Sequence, residues 1–397
     1  MSIVHSNPIV LKWAREQSGF NLEEVAKKLK RKKVTAQTIT EWESGTAFPS
    51  YSQLEDLAYK IYKRPLAVFF FPIPPDESDI KQSFRTLPES IESLSPRMRV
   101  VLRKARSMQL NVMELSEDEK SLMATKEKKI FEDIRFTTAP TINTLVKKVR
   151  KYLGISLEEQ KSWSKLNNVW GASDTALKKW REIVQSHGVF VFKDSFKDFN
   201  FSGFCLYDKK FPIIYINNSE AKTRQIFTLF HELAHILFHT SGFDPLDENY
   251  FRGQLKGANK KIETICNEFA GAFLVPEESL PKKIELKDIK KWADSYSVSQ
   301  EVFLIRLLKS GKISNTVYNK IKKEILKKYQ SFKQKAKTGG GNYYATKEAY
   351  LGDKYISLAF KKYYQKHISL NQLADFLDVK PKTIAHIDPF KQSGIFE

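Results

Sequence analysis

Apolar residues recur at helical spacing along most of the chain, and the first clear pattern predicts four short helices near the N-terminus. The second of these helices has an apolar face formed by Leu22, Val25, Ala26 and Leu29. Asn21 and Glu24 have the spacing of a capping box at its start, and Thr35 is placed to cap the third helix. Gly19 and Gly45 are placed to end the first and third helices. These signals predict a compact helical bundle.

The hydrophobic pattern changes to short, strand-like runs in the middle of the chain. After a predicted helix over residues 176–186, apolar runs occupy residues 189–192, 203–207 and 212–216. They favour a small three-stranded sheet beside a long apolar helix. The pattern is helical again from residue 286 onward. The predicted fold class is therefore mainly α (α+β).

Breaks in these patterns divide the 397 residues into four predicted segments. Phe71-Pro-Ile-Pro-Pro75 is typical of a stiff, extended connector. Helices at about 95–115 and 142–152 form a connecting region between this point and the central strands. The predicted segments are a helical bundle (1–72), a helical connecting region (73–168), a core with the strands (169–285) and a helical C-terminal region (286–397).

A metal-binding pattern lies inside the apolar run over residues 228–239. In His231-Glu232-x-x-His235 the two histidines are four residues apart, so they project from the same face of a helix. This spacing suits two imidazole nitrogens on one zinc ion, with Glu232 beside the metal to take a proton from water. The metzincin pattern is excluded, because Phe238 and Ser241 occupy its glycine and histidine positions. We expect His239 to cap the C-terminal end of the helix instead.

A second helix, over residues 263–276, supplies the expected third ligand. Glu263 and Asn267 are one turn apart, so a ligating carboxylate and an amide that orients a ligating histidine can face the same ion. Glu268 is the competing ligand, on the neighbouring flank of the helix. An ordinary core helix with a solvated glutamate is the alternative interpretation.

These motifs carry a family resemblance. His231-Glu-x-x-His235, followed by Glu263-x-x-Cys-Asn267-x-Phe-Ala and Leu274-Val-Pro276, resembles the ImmA/IrrE family of zinc metallopeptidases. Cys266 stands where the family usually has alanine, and residues 273–276 stand where it has Leu-Leu-Met-Pro. The resemblance implies a gluzincin-like core with one Zn²⁺ per chain. It also implies cleavage of transcriptional repressors, often after DNA damage or in mobile elements.

The N-terminal helices carry a second resemblance. The order Ala26, Ile39, Trp42-Glu-Ser-Gly45, Pro49, Leu54 and Leu57-Ala58 is similar to an XRE-type helix-turn-helix, which places one helix in the DNA major groove. Candidate DNA contacts are Gln37, Thr38 and Thr40 on that helix, with Lys32 and Lys33 at the phosphates. The exposed face offers no arginine or lysine to bind guanine. A docking or dimerisation domain, within a homodimer for example, is the alternative. Residues 369–384 resemble a second such hairpin, which either packs on the body or contacts DNA or a partner.

Composition adds constraints on partners and compartment. The net charge of +20 favours association with polyanions, although a solvated lysine-rich surface explains it equally well. Two cysteines imply no disulfide framework and favour a reducing compartment. The chain has no run of eighteen apolar residues and no signal-peptide pattern, so we expect a cytoplasmic protein without a membrane partner.

The sequence therefore predicts a zinc-dependent, site-specific endopeptidase that cleaves a repressor or similar regulator. Its helix-turn-helix would bind double-stranded DNA or a protein partner. The alternative is a DNA-binding transcriptional regulator, of the mobile-element or toxin–antitoxin type, with a structural or inactive zinc site. Tyr207, Tyr215 and Arg224 are candidates for stabilising the oxyanion or positioning the substrate, and each has a structural role as its alternative.

Overall fold

The computed structural model describes residues 5–75, 94–116, 129–134, 141–165, 172–198, 200–239, 242–245, 258–281, 285–333 and 343–392. The chain divides into two compact units, Met1–Arg106 and Ser107–Glu397. This division is coarser than the four segments expected from the sequence, and the boundaries of those segments stay predictions.

The first unit contains the predicted N-terminal helices. They are α1 (Pro8–Ser18), α2 (Leu22–Leu29), α3 (Ala36–Ser44) and α4 (Tyr51–Glu55), which continues as a π-helix (Asp56–Tyr62) and is followed by a 3₁₀ helix (Leu66–Phe70). Capping boxes at Asn21 and Thr35 begin α2 and α3 as predicted, and left-handed glycines end α1 and α3. Local sequence signals therefore determine most of the helix ends in this unit.

A continuous apolar core holds these helices together. It includes Val10 from α1, Val25 from α2, Trp42 from α3 and Leu54 from α4, all buried. An ion pair between Arg15 Nε and Glu43 Oε1, 2.7 Å apart and largely buried, connects α1 to α3. The helix-turn-helix bundle expected from the sequence is confirmed.

Helix α5 (Pro96–Ser116) contains the boundary between the units, and the second unit is again mainly helical. Before the sheet, its helices are α6 (Ile130–Asp133), α7 (Ile142–Leu153), α8 (Leu157–Ser162) and α9 (Ala172–Ser186). Among and after the strands come α10 (Lys222–Leu237), α11 (Ala258–Leu274), α12 (Ile289–Ser295), α13 (Gln300–Lys309) and α14 (Asn315–Lys333). The C-terminal helices are α15 (Tyr343–Leu351), α16 (Asp353–Tyr364), α17 (Leu370–Phe376) and α18 (Pro389–Gln392).

One small sheet lies within this unit. Its strands are β1 (Phe190–Asp194), β2 (Phe201–Leu206), β3 (Ile213–Asn217) and β4 (Gly242–Pro245), in the spatial order β1-β3-β2-β4. β1 pairs with β3 in parallel, and the other pairs are antiparallel. The three predicted strands are confirmed. The sequence did not indicate β4, because a four-residue strand containing both glycine and proline has no strand pattern.

Aromatic packing joins the helices that bear the predicted metal ligands. Trp180 of α9 contacts Phe230 of α10 with ring centroids 4.9 Å apart, and Phe230 stacks on Phe273 of α11 at 4.2 Å. All three side chains are fully buried. Because such a core is close-packed, it holds α10 and α11 in one relative position.

Gly203 of β2 allows α10 to lie close to the sheet. A Cβ atom at this position would clash with Thr228 Cγ2 and lie 2.8 Å from the carbonyl oxygen of Tyr215. We expect Gly203→Ala to lower the free energy of unfolding by about 1–3 kcal/mol, since overpacking forces the helix away from the strand. Unfolding in denaturant would measure this decrease in the free energy of unfolding. Gly271→Ala is the control, because its Cβ would approach only Arg306 Cδ at 3.4 Å, and equal stability of both variants would contradict this account.

The C-terminal helices pack on the sheet. Tyr355 of α16 is fully buried, contacts Phe192 of β1 with ring centroids 5.3 Å apart, and donates a hydrogen bond of 2.9 Å to the carbonyl of Phe376 in α17. These contacts agree with the packing interpretation of the C-terminal hairpin, and its DNA or partner contact stays a prediction. Within the described ranges, no helix is long and apolar enough to cross a membrane.

Candidate metal and active site

The predicted ligand-bearing helix, α10, is buried along most of its length. Every residue from Gln225 to Leu237 is buried, including His231, Glu232 and His235, which are at most 1% exposed. Ionisable side chains are rarely buried unless they are paired or coordinate a metal, because burial removes their hydration. The concentration of three such residues on one apolar helix therefore indicates a specific site.

The structure brings His231, His235 and Glu263 together. His231 Nε2 lies 3.3 Å from Glu263 Oε2, and His235 Nε2 lies 3.2 Å from Glu263 Oε1. The two Nε2 atoms are 3.1 Å apart. Of the residues that the structure describes, these three form a group whose ligand atoms are close enough to hold one metal ion. Glu263, and not the competing Glu268, is the acidic member of this group.

The spacing of these ligand atoms fits a zinc ion. Tetrahedral zinc with bonds of about 2.0–2.1 Å separates neighbouring ligand atoms by about 3.3 Å. The distances of 3.1–3.3 Å in the cluster are close to this value. Three protein ligands of nitrogen and oxygen type are also the set found in catalytic zinc sites, which leave one position open. The residues present therefore fit the metal.

Asn267 determines which nitrogen of His231 faces the cluster. Its Oδ1 lies 3.0 Å from His231 Nδ1, and an amide oxygen only accepts hydrogen bonds, so Nδ1 carries the proton. His231 Nε2 then presents its lone pair towards His235 and Glu263. This is the usual way in which a neighbouring group orients a metal-ligating histidine.

The electrostatics of the cluster favour an ionised Glu263. Burial of this side chain opposes ionisation, but when the rings of His235 and His231 are protonated, their charges and hydrogen bonds hold the pKa of Glu263 well below its usual range. A carboxylate must be ionised to bind a metal, so the carboxyl is already in the form that a ligand requires.

Glu232 follows His231 directly and is completely buried between α10 and the sheet. Its Cγ lies 3.8 Å from the position that a Cβ at Gly203 would occupy. Sequence reasoning did not single out Gly203, although a glycine inside an apolar strand is a recognised sign of close approach. Gly203 thus makes room for the side chains of Thr228 and Glu232 where α10 packs on the sheet.

The structure distinguishes among the candidates for substrate positioning. Tyr215 stacks on Phe204 at 5.4 Å and faces away from α10, because strand alternation places Ile214 and Ile216 towards that helix. Burial raises the pKa of Tyr215 well above its ordinary value. Tyr215 is therefore a core residue. Arg224 Nε donates to Ser202 Oγ at 2.9 Å, which gives it a structural contact.

His239 lies at the C-terminal end of α10, as expected. Phe238 ends α10, and the His239 side chain turns to Phe131, with Nε2 2.9 Å from that carbonyl oxygen. Its ring also stacks on Tyr207 at 4.8 Å. His239 therefore closes the end of the helix through its backbone, which is left-handed and donates its N–H to the carbonyl oxygen of Ile236 at 2.9 Å, while its ring contacts Phe131 and Tyr207 instead of the last carbonyls.

The candidate DNA contacts lie on the surface of the first unit. Lys32, Lys33, Gln37 and Thr40 are exposed, in the turn before α3 and on the outer side of α3. Thr38 is half-buried, and its hydroxyl accepts a hydrogen bond of 3.2 Å from the backbone N–H of Thr35 in the capping box. DNA contact by these five residues stays a prediction.

A substitution at Asn267 would test its orienting role. We expect Asn267→Ala to weaken zinc binding by about 10- to 100-fold, because His231 loses the partner that fixes its ring and tautomer. Asn267→Asp retains an acceptor at this position and is the control. Competition with a chromophoric zinc chelator measures both affinities. Equal affinity of Asn267→Ala and the unchanged chain would show that Asn267 has no orienting role.

Comparison with known families agrees with this geometry. Residues 184–308 match the model of the IrrE N-terminal-like domain of the M78 peptidases, a family that is typically metal-dependent. Residues 11–58 match the helix-turn-helix model. A search of curated proteins found no match. The expected resemblance is confirmed: one part of the chain is similar to the IrrE N-terminal-like domain and another part to a helix-turn-helix.

Proposed function

We propose that this protein is a zinc-dependent endopeptidase that cleaves a specific protein substrate. The observation that carries the proposal is the convergence of His231, His235 and Glu263 at 3.1–3.3 Å, with Glu232 adjacent on the same buried helix. The family match over residues 184–308 supports it. A purely structural zinc site is usually closed by four ligands rich in cysteine, which this cluster does not resemble.

Each residue of the site has a distinct part in the proposed reaction. His231, His235 and Glu263 hold the zinc ion, and Asn267 keeps His231 in the ligating tautomer. When bound, the metal polarises the scissile carbonyl and lowers the pKa of water. Glu232 takes a proton from the attacking water and passes it to the nitrogen of the leaving amine. Buried surroundings strengthen these electrostatic effects, because little solvent is present to screen them.

The helix-turn-helix domain suggests the class of substrate. We propose that the substrate is a transcriptional repressor or a similar regulator, and that this domain brings the peptidase to double-stranded DNA or to the regulator itself. The exposed Lys32 and Lys33 and the net charge of +20 support contact with a polyanion. Action in the cytoplasm and assembly as a homodimer belong to the same proposal.

A second candidate function is a DNA-binding regulator whose metal site is structural or inactive. The complete helix-turn-helix core, with an exposed outer face on α3, favours it. The two candidates differ in one respect that can be measured. A peptidase requires Glu232 for its output, whereas a regulator with a structural site requires only the metal ligands.

The test is hydrolysis in vitro. The purified full chain, loaded with zinc, is incubated with a proteome-derived peptide library, and new termini are identified by mass spectrometry. We expect a restricted set of cleavages that disappears in both Glu232→Gln and His235→Ala. If the unchanged chain cleaves nothing and maps to specific DNA sites in cells, the regulator is the correct assignment.

A further inference from the structure

A cavity in the Ser107–Glu397 unit has a basic and partly aromatic lining. It has a volume of about 250 Å³, close to the smaller ligand pockets of proteins. Phe190 at the start of β1 and Phe211 just before β3 place it at one end of the sheet. The ligand atoms of the zinc cluster do not line it. It is therefore a separate site.

One face of α16 forms a wall of this pocket. Lys354, Ser357, Leu358 and Lys361 all line it, and their spacing of three, four and seven residues places them on one side of the helix. The sequence pattern of α16 thus presents two lysines and a hydroxyl to the cavity. A helix face that only packed against neighbouring elements would be apolar. The polar residues on this face of α16 therefore indicate a different role.

Positive charge is concentrated around the cavity. Lys129 and Lys210 join Lys354 and Lys361 at its lining, and none of the described lining residues is acidic. Two of the four have neighbours that hold them in place: Lys129 Nζ lies 3.3 Å from Glu132 Oε1, and Lys354 Nζ donates to the carbonyl of Gln185 at 2.8 Å. Glu132 offsets part of the charge of Lys129, and the cluster of lysines as a whole attracts an anion into the cavity.

Aromatic rings complete the lining. Phe211 and Phe390 line the cavity and are half-buried, whereas Phe190 is almost fully buried with Lys354 Nζ 5.0 Å from its ring centroid. Lysines that attract phosphate, together with exposed aromatic faces on which bases stack, are the combination that nucleotide-binding surfaces use. An inorganic anion would use the lysines but not the rings.

We propose that this pocket binds a phosphorylated nucleoside, with the phosphate near the lysines and the base against Phe211 or Phe390. A phosphate attached to a nucleoside occurs both in a free nucleotide and at the phosphorylated end of a nucleic-acid single strand. The proposal does not depend on the peptidase activity, because no residue of the zinc cluster takes part.

Calorimetric titration of the purified full chain with adenosine 5′-monophosphate, adenosine and inorganic phosphate tests the proposal. The monophosphate is expected to bind more tightly than either fragment. The double variant Lys210→Glu/Lys361→Glu should weaken its binding by at least about tenfold, because two charge-assisted contacts are lost. Lys209→Glu/Lys320→Glu is the matched control: it changes the net charge equally at two exposed lysines outside the lining, and it should bind as the unchanged chain does.

A third variant separates base recognition from anion binding and serves if the double variant fails to fold. Phe211→Leu should weaken binding of the monophosphate but not of inorganic phosphate. A 5′-phosphorylated tetranucleotide is then tested in competition with the monophosphate. Tighter binding than that of the monophosphate identifies a strand end as the ligand, and weaker binding identifies a free nucleotide. The proposal is overturned if the monophosphate does not bind, if phosphate binds as tightly, or if the folded lysine variant binds as the control does.

Discussion

Replacing Glu232 by glutamine is expected to reduce peptide hydrolysis by about 100- to 10,000-fold, the usual contribution of a positioned general base. Glutamine has nearly the same shape and cannot accept the proton of the attacking water. Because Glu232 is not among the three residues that form the metal cluster, zinc affinity should stay nearly unchanged. The measurement is kcat/KM on a peptide from the library, together with a zinc titration of the same preparation.

Glu268→Gln is the matched control for this experiment. Glu268 lies on α11, the helix that carries Glu263, but it is not a member of the cluster. We expect its replacement to leave both turnover and zinc affinity unchanged. Hydrolysis by Glu232→Gln at the rate of the unchanged chain would contradict the assignment of the base, and loss of zinc from Glu232→Gln would make Glu232 a ligand instead.

Zinc is expected to stabilise the folded chain by about 4 kcal/mol when free zinc is a thousandfold above its dissociation constant, because the folded state alone presents the three ligands together. Glu263→Ala should lose most of this increase, since only the two histidines of α10 remain of the cluster. Unfolding in denaturant, with and without zinc, measures the increase for each variant.

His239→Ala is the control for the zinc-dependent increase. It removes a histidine close to the end of α10 whose side chain contacts Phe131 and Tyr207 rather than the cluster. Its own stability can change, but the additional stability conferred by zinc should equal that of the unchanged chain. An equal zinc-dependent increase in Glu263→Ala would show that Glu263 does not bind the metal.

Local chemistry explains what the sequence predicted well. The capping boxes at Asn21 and Thr35 depend on residues only three positions apart, so the starts of α2 and α3 were predictable. The pairing of His231 with His235 likewise follows from one helical turn. Glu263 is on a different helix, where its spacing from Asn267 favoured it over Glu268, and the structure brings it within 3.3 Å of both histidines.

Features that depend on distant parts of the chain were not predictable. The sequence left Tyr215 open between substrate positioning and a structural role, because it does not reveal which face of the sheet α10 covers. The basic pocket combines Lys129, Phe211 and Lys361 from segments far apart in the chain, so no local pattern indicates it. The strand β4 is defined only by its pairing with β2.

The most direct test of the central claim is a survey of new protein N-termini in cells. Cells expressing the unchanged chain or Glu232→Gln are compared with and without DNA damage, after both proteins are shown to contain zinc. We predict at least one new N-terminus, in a transcriptional regulator, that occurs only with the unchanged chain. Identical sets of N-termini for the two proteins under both conditions would contradict the assignment of this protein as a peptidase.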